Sequence, residues 1–225
     1  MQIGVNRSIL LLVGLLLNSR ISSAQLVDST QRLTDSLTLA VLSTSRTYSH
    51  IEEILQCVPP ESDWFDLLPC VLPVELPLEH FQVSSPFGMR RHPIDKAWRL
   101  HGGVDVAAPI NLPVKATAAG IVSQVGHDAV LGAFIRLRHA FGFETVYGHL
   151  KGYCVKPGQR IALNEEIGRV GQTGKTTGPH LHYVIKKNGS AIDPFQFCFL
   201  LRRRLWLYQK PMPTGSGISV SSSTK

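Results

Sequence analysis

The stretch Gly178-Pro179-His180-Leu181-His182-Tyr183-Val184 decides how this chain reads. Tyr183, Val184 and Ile185 are aromatic or β-branched and favour extended structure, while Gly178-Pro179 marks where the chain enters the strand. Side chains two residues apart share one face of a strand, so His180 and His182 look into a common space. Two neutral imidazoles suit zinc but do not complete a site by themselves. The rest of the chain has to supply a third ligand.

Working outward, Gln82 to Phe199 has one texture: short β-branched runs separated by glycines. Strands are expected at Val104–Ala107, Val114–Ala116, Gly120–Val125, Phe134–Arg138, Thr145–His149, Glu166–Val170 and Leu181–Lys186. Turns are expected at glycines 126, 132, 142, 152, 158, 171, 174 and 189, with Asn188-Gly189 as a hairpin turn. The fold class is therefore mainly β, a compact antiparallel sheet or sandwich over residues 82–200.

The flanks read differently. Residues 1–24 have the form of a secretory signal, with Arg7, an apolar run Ile9–Leu17 and small residues Ser22-Ser23-Ala24 for cleavage. Nine apolar residues are too few for a membrane-spanning helix, so no stable membrane insertion is expected after cleavage. Apolar residues from Leu33 to Leu55 recur near helical spacing and predict an accessory helix within 25–58. Prolines 59, 60, 69, 73 and 77 make 59–81 a linker wrapped on the domain. Residues 201–225 begin with a basic run, Arg202-Arg203-Arg204, and end in a Ser/Gly-rich tail expected to be disordered.

The formal charge of +7 falls to +5 when the leader takes Arg7 and Arg20 with it. A basic surface suits nucleic acid, anionic lipid or an anionic wall polymer, and export to the periplasm or beyond argues against nucleic acid. Four cysteines in an oxidising compartment permit disulfides, and Cys57–Cys70 with Cys154–Cys198 is the expected pairing, against buried free thiols.

The third and fourth pieces of the site lie in Leu100-His101-Gly102-Gly103-Val104-Asp105. On a fully extended chain His101 and Asp105 share a face but stand about 13 Å apart. Gly102-Gly103 lets the backbone bend and bring them together. His101, Asp105 and His182 then form two nitrogens and one carboxylate, a zinc set that leaves one position for water and suits hydrolysis. The HExxH arrangement is absent, so the proton acceptor has to come from elsewhere. His180 and His149, in Tyr147-Gly148-His149-Leu150, are the candidates.

Ser85-Pro86-Phe87-Gly88-Met89-Arg90-Arg91-His92-Pro93, His101-x-x-x-Asp105, Tyr147-Gly148-His149-Leu150 and His180-Leu181-His182 resemble, in order, the lysostaphin/LytM-type zinc endopeptidases of peptidoglycan. The resemblance covers Gln82 to Pro194, about half the chain, and extends to Lys156-Pro157-Gly158-Gln159 and Gly171-Gln172-Thr173-Gly174. It implies that His101, Asp105 and His182 are zinc ligands and that His149 and His180 are the catalytic pair, without saying which takes the proton and which stabilises the oxyanion. Peptidoglycan peptides are the implied substrate. Non-catalytic relatives that activate amidases lack some of these residues, and none is missing here.

Other residues carry weaker readings. Histidines 50, 80, 127 and 139 read as structural or surface groups. His92 either lines a groove or shapes its turn, Arg90 and Arg91 either meet a peptide carboxylate or are solvated, and Tyr147, which shares the face of His149 by spacing, either lines the cleft or packs as an ordinary strand residue. Two rivals to the endopeptidase remain: a non-hydrolytic wall-binding module or regulator, and a hydrolase using Cys154 beside His149.

Overall fold

The computed structural model describes Ile51, residues 68–91 and residues 96–198. The signal segment, almost all of the 25–58 helix, Cys57, His50, His92-Pro93 and the 201–225 tail lie outside the described residues.

Twelve strands follow in chain order: β1 (Gln82–Ser85), β2 (Gly88–Arg91), β3 (Trp98–His101), β4 (Val104–Ala107), β5 (Pro113–Lys115), β6 (Gly120–Asp128), β7 (Gly132–Arg138), β8 (Phe143–Tyr153), β9 (Arg160–Ile161), β10 (Glu166–Val170), β11 (His180–Lys187) and β12 (Ser190–Ile192). Ten form one antiparallel sheet with the order β1-β4-β11-β8-β7-β6-β9; β10 pairs with β5 and β8, and β12 with β11. β2 and β3 form a separate two-stranded ribbon. The mainly β, antiparallel expectation holds, and all seven expected strands are present within a few residues of their expected ends.

Alternation explains the packing. On β11, Leu181, Tyr183 and Ile185 are fully buried while His180 and His182 are turned the other way. On β4, Val104 and Val106 are fully buried on either side of Asp105. A fully buried aliphatic side chain contributes about 1.5–3 kcal/mol. These two strands are neighbours, so the same residues that anchor the core fix the polar face opposite. Asn188 and Gly189 both have positive φ, +48° and +82°, and close the β11–β12 hairpin as the sequence predicts. Gly126 and Gly152 are not turns; they lie inside β6 and β8.

Leu68, Leu72, Val74 and Leu78 are buried in the same core, together with Phe197 and Cys198. The described part of the proline-rich stretch is thus a packed layer: its prolines stop it from forming a strand, and its leucines still anchor it. The cysteine pairing is corrected. Among the described residues Cys70, Cys154 and Cys198 form no disulfide: Cys198 is buried against the carbonyls of Pro73 and Glu75, while Cys154 is exposed at the end of β8 near the Glu166 carbonyl.

Candidate metal centre

β11 lies between β4 and β8 in the sheet, and register sets the site. His182 is the Cα partner of Asp105 on β4 and of Gly148 on β8. His182 Nδ1 lies 2.8 Å from Asp105 Oδ1. His101 arrives from the ribbon, with its Nε2 3.2 Å from both Asp105 Oδ1 and His182 Nδ1. The chain passes from ribbon to sheet across Gly102-Gly103, and this change of sheet brings histidine and aspartate together. Neither glycine has positive φ. What Gly103 supplies is room: a Cβ there would lie 2.5 Å from the Tyr183 carbonyl oxygen on β11.

The donor chemistry fits a cation. His101 Nδ1–H donates to the Pro86 carbonyl at 2.7 Å, so its Nε2 presents a lone pair to a carboxylate oxygen and to a second imidazole. His182 can place one proton between its Nδ1 and Asp105. Among the described residues the one proton on His182 Nδ1 has to serve both the Asp105 oxygen and the His101 lone pair, and a divalent ion among the three atoms would serve all of them. These three residues form the one group of potential metal ligands among the described residues.

His149 and His180 join the same cleft of about 280 Å³. Their rings meet edge-on at 4.6 Å between centroids, and His149 lies 5.8 Å from the His182 ring. Each imidazole is anchored at Nδ1: His149 on the Thr173 carbonyl at 2.8 Å, His180 on the Gly178 carbonyl at 2.8 Å. His180 Nε2 is 3.6 Å from Asp105 Oδ1. All five residues expected from the sequence thus share one place.

β8 changes partners at His149. Up to Gly148 it pairs with β11, and from Leu150 with β10. His149 takes φ +58°, and its N–H donates to the Leu131 carbonyl. This left-handed residue breaks the strand alternation. Tyr147 therefore does not share the face of His149; it is fully buried, its ring 5.3 Å from that of Tyr183 and its hydroxyl near those of Thr117 and Thr145. Cys154 does not line the cleft, which removes it as a nucleophile for His149.

Burial raises the pKa of Asp105, but hydrogen bonds from His101 and His182 and their charges outweigh it and hold the carboxyl well below the usual carboxylate range. Burial pushes His149 down to about 4, with the Thr173 carbonyl opposing and the neighbouring imidazoles adding to the shift. Burial also lowers His182, against the pull of Asp105.

Several groups that the sequence marked without assigning a role support the site. Arg90 Nη2 donates to Asp105 Oδ2 at 3.2 Å, so the arginine meets an internal carboxylate and leaves Oδ1 to the imidazoles. Thr173 Oγ1 donates to the Leu150 carbonyl and accepts from Ala133 N–H, fixing the carbonyl that orients His149. Gly174 follows at φ +75°, where a Cβ would lie 2.2 Å from Gly132 N. The signal for this connector was its glycine spacing. Arg91 instead bonds the Lys96 carbonyl at the exposed ribbon.

Residues 99–194 match peptidase family M23. The chain is 46% identical over 118 residues to the DD-carboxypeptidase/endopeptidase Mpg of Neisseria meningitidis, covering 52% of this chain and 27% of that protein. A zinc-containing peptidase from Vibrio cholerae aligns with a TM-score of 0.51 at 31% identity, covering 56% of this chain and 39% of that one. The catalytic domain of lysostaphin from Staphylococcus simulans is 31% identical, covering 53% of this chain and 92% of that one, with a TM-score of 0.48. The chain spans about a quarter of the length of the curated relatives it matches. The matched residues 99–194 take in all five cleft residues, and this part of the chain is a peptidase M23 domain.

Proposed function

We propose that the protein is a zinc endopeptidase that hydrolyses peptide cross-links of bacterial peptidoglycan. The observation that carries this reading is the convergence of His101 Nε2, Asp105 Oδ1 and His182 Nδ1 to within 3.2 Å of one another beneath two further imidazoles. His101, Asp105 and His182 would hold the ion. Zinc bound there would supply Lewis-acid polarisation of the scissile carbonyl and acidification of water.

The remaining work falls to the chain. His149 and His180 both keep Nδ1–H on a backbone carbonyl, so each Nε2 accepts a proton while the ring is neutral and donates once it is protonated. Those are the two states that a proton acceptor and a hydrogen-bonding stabiliser of a developing oxyanion require. With its pKa near 4, His149 rests in the accepting state at neutral pH. Arg90 holds Asp105 so that one carboxylate oxygen stays on the ligand side.

Residues 82–200 would form the peptidase domain, and the leader 1–24 would deliver it to the compartment that holds peptidoglycan. Among the described residues no helix is long and apolar enough to cross a membrane. The test is digestion of purified sacculi, read by mass spectrometry, with metal content measured on the same preparation. Wild type should carry one zinc and release peptides. His149→Ala should keep zinc and release none. Binding to sacculi with no release by zinc-loaded wild type would replace the enzyme with a wall-binding module.

A further inference from the structure

His149 holds a backbone conformation that needs outside support. Its φ of +58° is uncommon for a residue with a side chain, and such a conformation persists only where neighbouring groups fix it. Two carbonyls from other segments do so. The Leu131 carbonyl accepts the His149 N–H at 2.6 Å, and the Thr173 carbonyl accepts its Nδ1–H at 2.8 Å. Both depend on one turn. β6 and β7 meet at the Asp128–Gly132 pair, with Ala129-Val130-Leu131 between them. Asp128 Oδ1 accepts two N–H groups of that turn, from Val130 at 2.8 Å and from Leu131 at 2.7 Å. The connector that carries Thr173 is tied to the same turn: the Val130 carbonyl accepts the Lys175 N–H at 2.9 Å, and the Ala133 N–H donates to Thr173 Oγ1 at 2.9 Å. There is no slack between them, because a Cβ on Gly132 would lie 2.2 Å from Thr173 Oγ1.

Resting on the endopeptidase reading, we propose that Asp128 is a positioning residue for His149. By capping the β6–β7 turn it holds in place the Leu131 carbonyl and, through the connector, the Thr173 carbonyl. Asp128 is exposed and does not line the cleft, so it acts only through these groups. Without its carboxylate the Val130 and Leu131 N–H groups turn to water and the turn loses its fixed shape. Both carbonyls then shift against His149, and its Nε2 with them. A displacement on the order of 1 Å at a reacting group costs about 10²-fold in rate.

The test uses zinc-loaded full-length protein and a synthetic cross-linked peptide. Asp128→Ala should lower kcat by about 10–100-fold, change KM less than kcat and keep the zinc content of wild type. Asp128→Asn retains a side-chain oxygen for the two N–H groups and should restore most of kcat. Asp193→Ala removes a cap of the same kind outside the cleft, Asp193 Oδ1 on the Phe195 N–H at 2.9 Å, and should leave kcat as it was. The ring nitrogens of His149 can be followed by NMR on isotope-labelled protein and assigned by their loss in His149→Ala. They should report the Nδ1–H tautomer in wild type and Asp128→Asn, and a mixture of tautomers in Asp128→Ala. Wild-type kcat in Asp128→Ala, or an Asn variant as slow as the Ala variant, would overturn the proposal. If wild type cleaves nothing, the endopeptidase reading fails instead, and the ring signals still decide this proposal: identical signals in wild type and Asp128→Ala remove it.

Discussion

β8 and β11 each build two polar clusters, one on either side of the sheet, and the clusters differ in kind. On the core side, Tyr183 Oη donates to Thr117 Oγ1 at 2.8 Å, Tyr147 Oη lies 3.1 Å from the same oxygen, and Thr145 Oγ1 sits between Tyr147 and His139. His139 closes the chain on the Ala119 carbonyl at 2.9 Å. Every member has a partner, and the groups are neutral. On the cleft side, His101, Asp105, His182, His149 and His180 leave lone pairs facing one another and open onto a cleft. Buried polarity by itself therefore does not mark function. A surplus of acceptors that the protein does not satisfy does.

The sharpest way to break this comparison is to remove a member from each cluster. His182→Ala or Asp105→Ala should abolish retention of zinc and with it hydrolysis, while thermal stability of the metal-free protein changes little. His149→Ala should keep the metal and lose activity by about 10²–10⁴-fold, the range for a proton-transfer group. Metal content and peptide release measured together check both, and a His149→Ala protein with wild-type turnover would remove that residue from the chemistry.

Next in size is Arg90→Gln. Arg90 Nε is buried without a hydrogen-bond partner, so the fold tolerates an incompletely satisfied cation in order to place the other end on Asp105. A partner one step removed from a metal typically tunes affinity by about 10–100-fold. Zinc affinity should fall by that amount in a competition titration, with fold stability unchanged. Unchanged affinity would mean that Arg90 is packing alone.

How much of this was legible depends on whether a feature is carried by side-chain type or by backbone placement. The cores of β4, β7, β8, β10 and β11 were legible because β-branched and aromatic residues alternate or cluster there. β2 and β3 were not: their apolar residues Met89, Trp98 and Leu100 share one face that stays exposed, and the ribbon is held by cross-strand pairing. The approach of His101 to Asp105 could be read from the glycine pair, though the glycines act by admitting the Tyr183 carbonyl and not by a special φ. The carbonyls of Pro86, Thr173 and Gly178, which set the tautomers of three imidazoles, carry no side-chain signature. The error at Tyr147 had the same origin. Strand spacing assumes regular alternation, and the left-handed His149 ends it.

On the closed side, two phenylalanine substitutions should separate a lost bond from an orphaned donor. Tyr183→Phe removes one hydroxyl that donates to Thr117 and should cost about 1 kcal/mol. Tyr147→Phe also strips the acceptor from the buried Thr117 N–H, at 3.2 Å, and should cost about 1–3 kcal/mol. Denaturant unfolding gives both numbers. Both variants should keep zinc and activity if the two clusters are independent.

The smallest effect tests the neutrality of the closed cluster. Burial lowers the pKa of His139 below the ordinary histidine value of 6.5, and the Ala119 carbonyl and the charge of Glu144 offset this only in part. Above pH 6.5 neither the folded nor the unfolded ring holds the extra proton, so the cluster contributes in full. Below it the unfolded chain gains a proton that the folded chain refuses, and stability falls with pH until the folded pKa is reached. Gln at this position keeps a donor for Ala119 and an acceptor for Thr145 but does not titrate. The stability gap between wild type and His139→Gln should therefore narrow as pH drops from 7.5 to 5.5. Denaturation curves that stay parallel across that window would show that His139 is not held neutral, and the contrast between a satisfied cluster and an unsatisfied one would lose its strongest support.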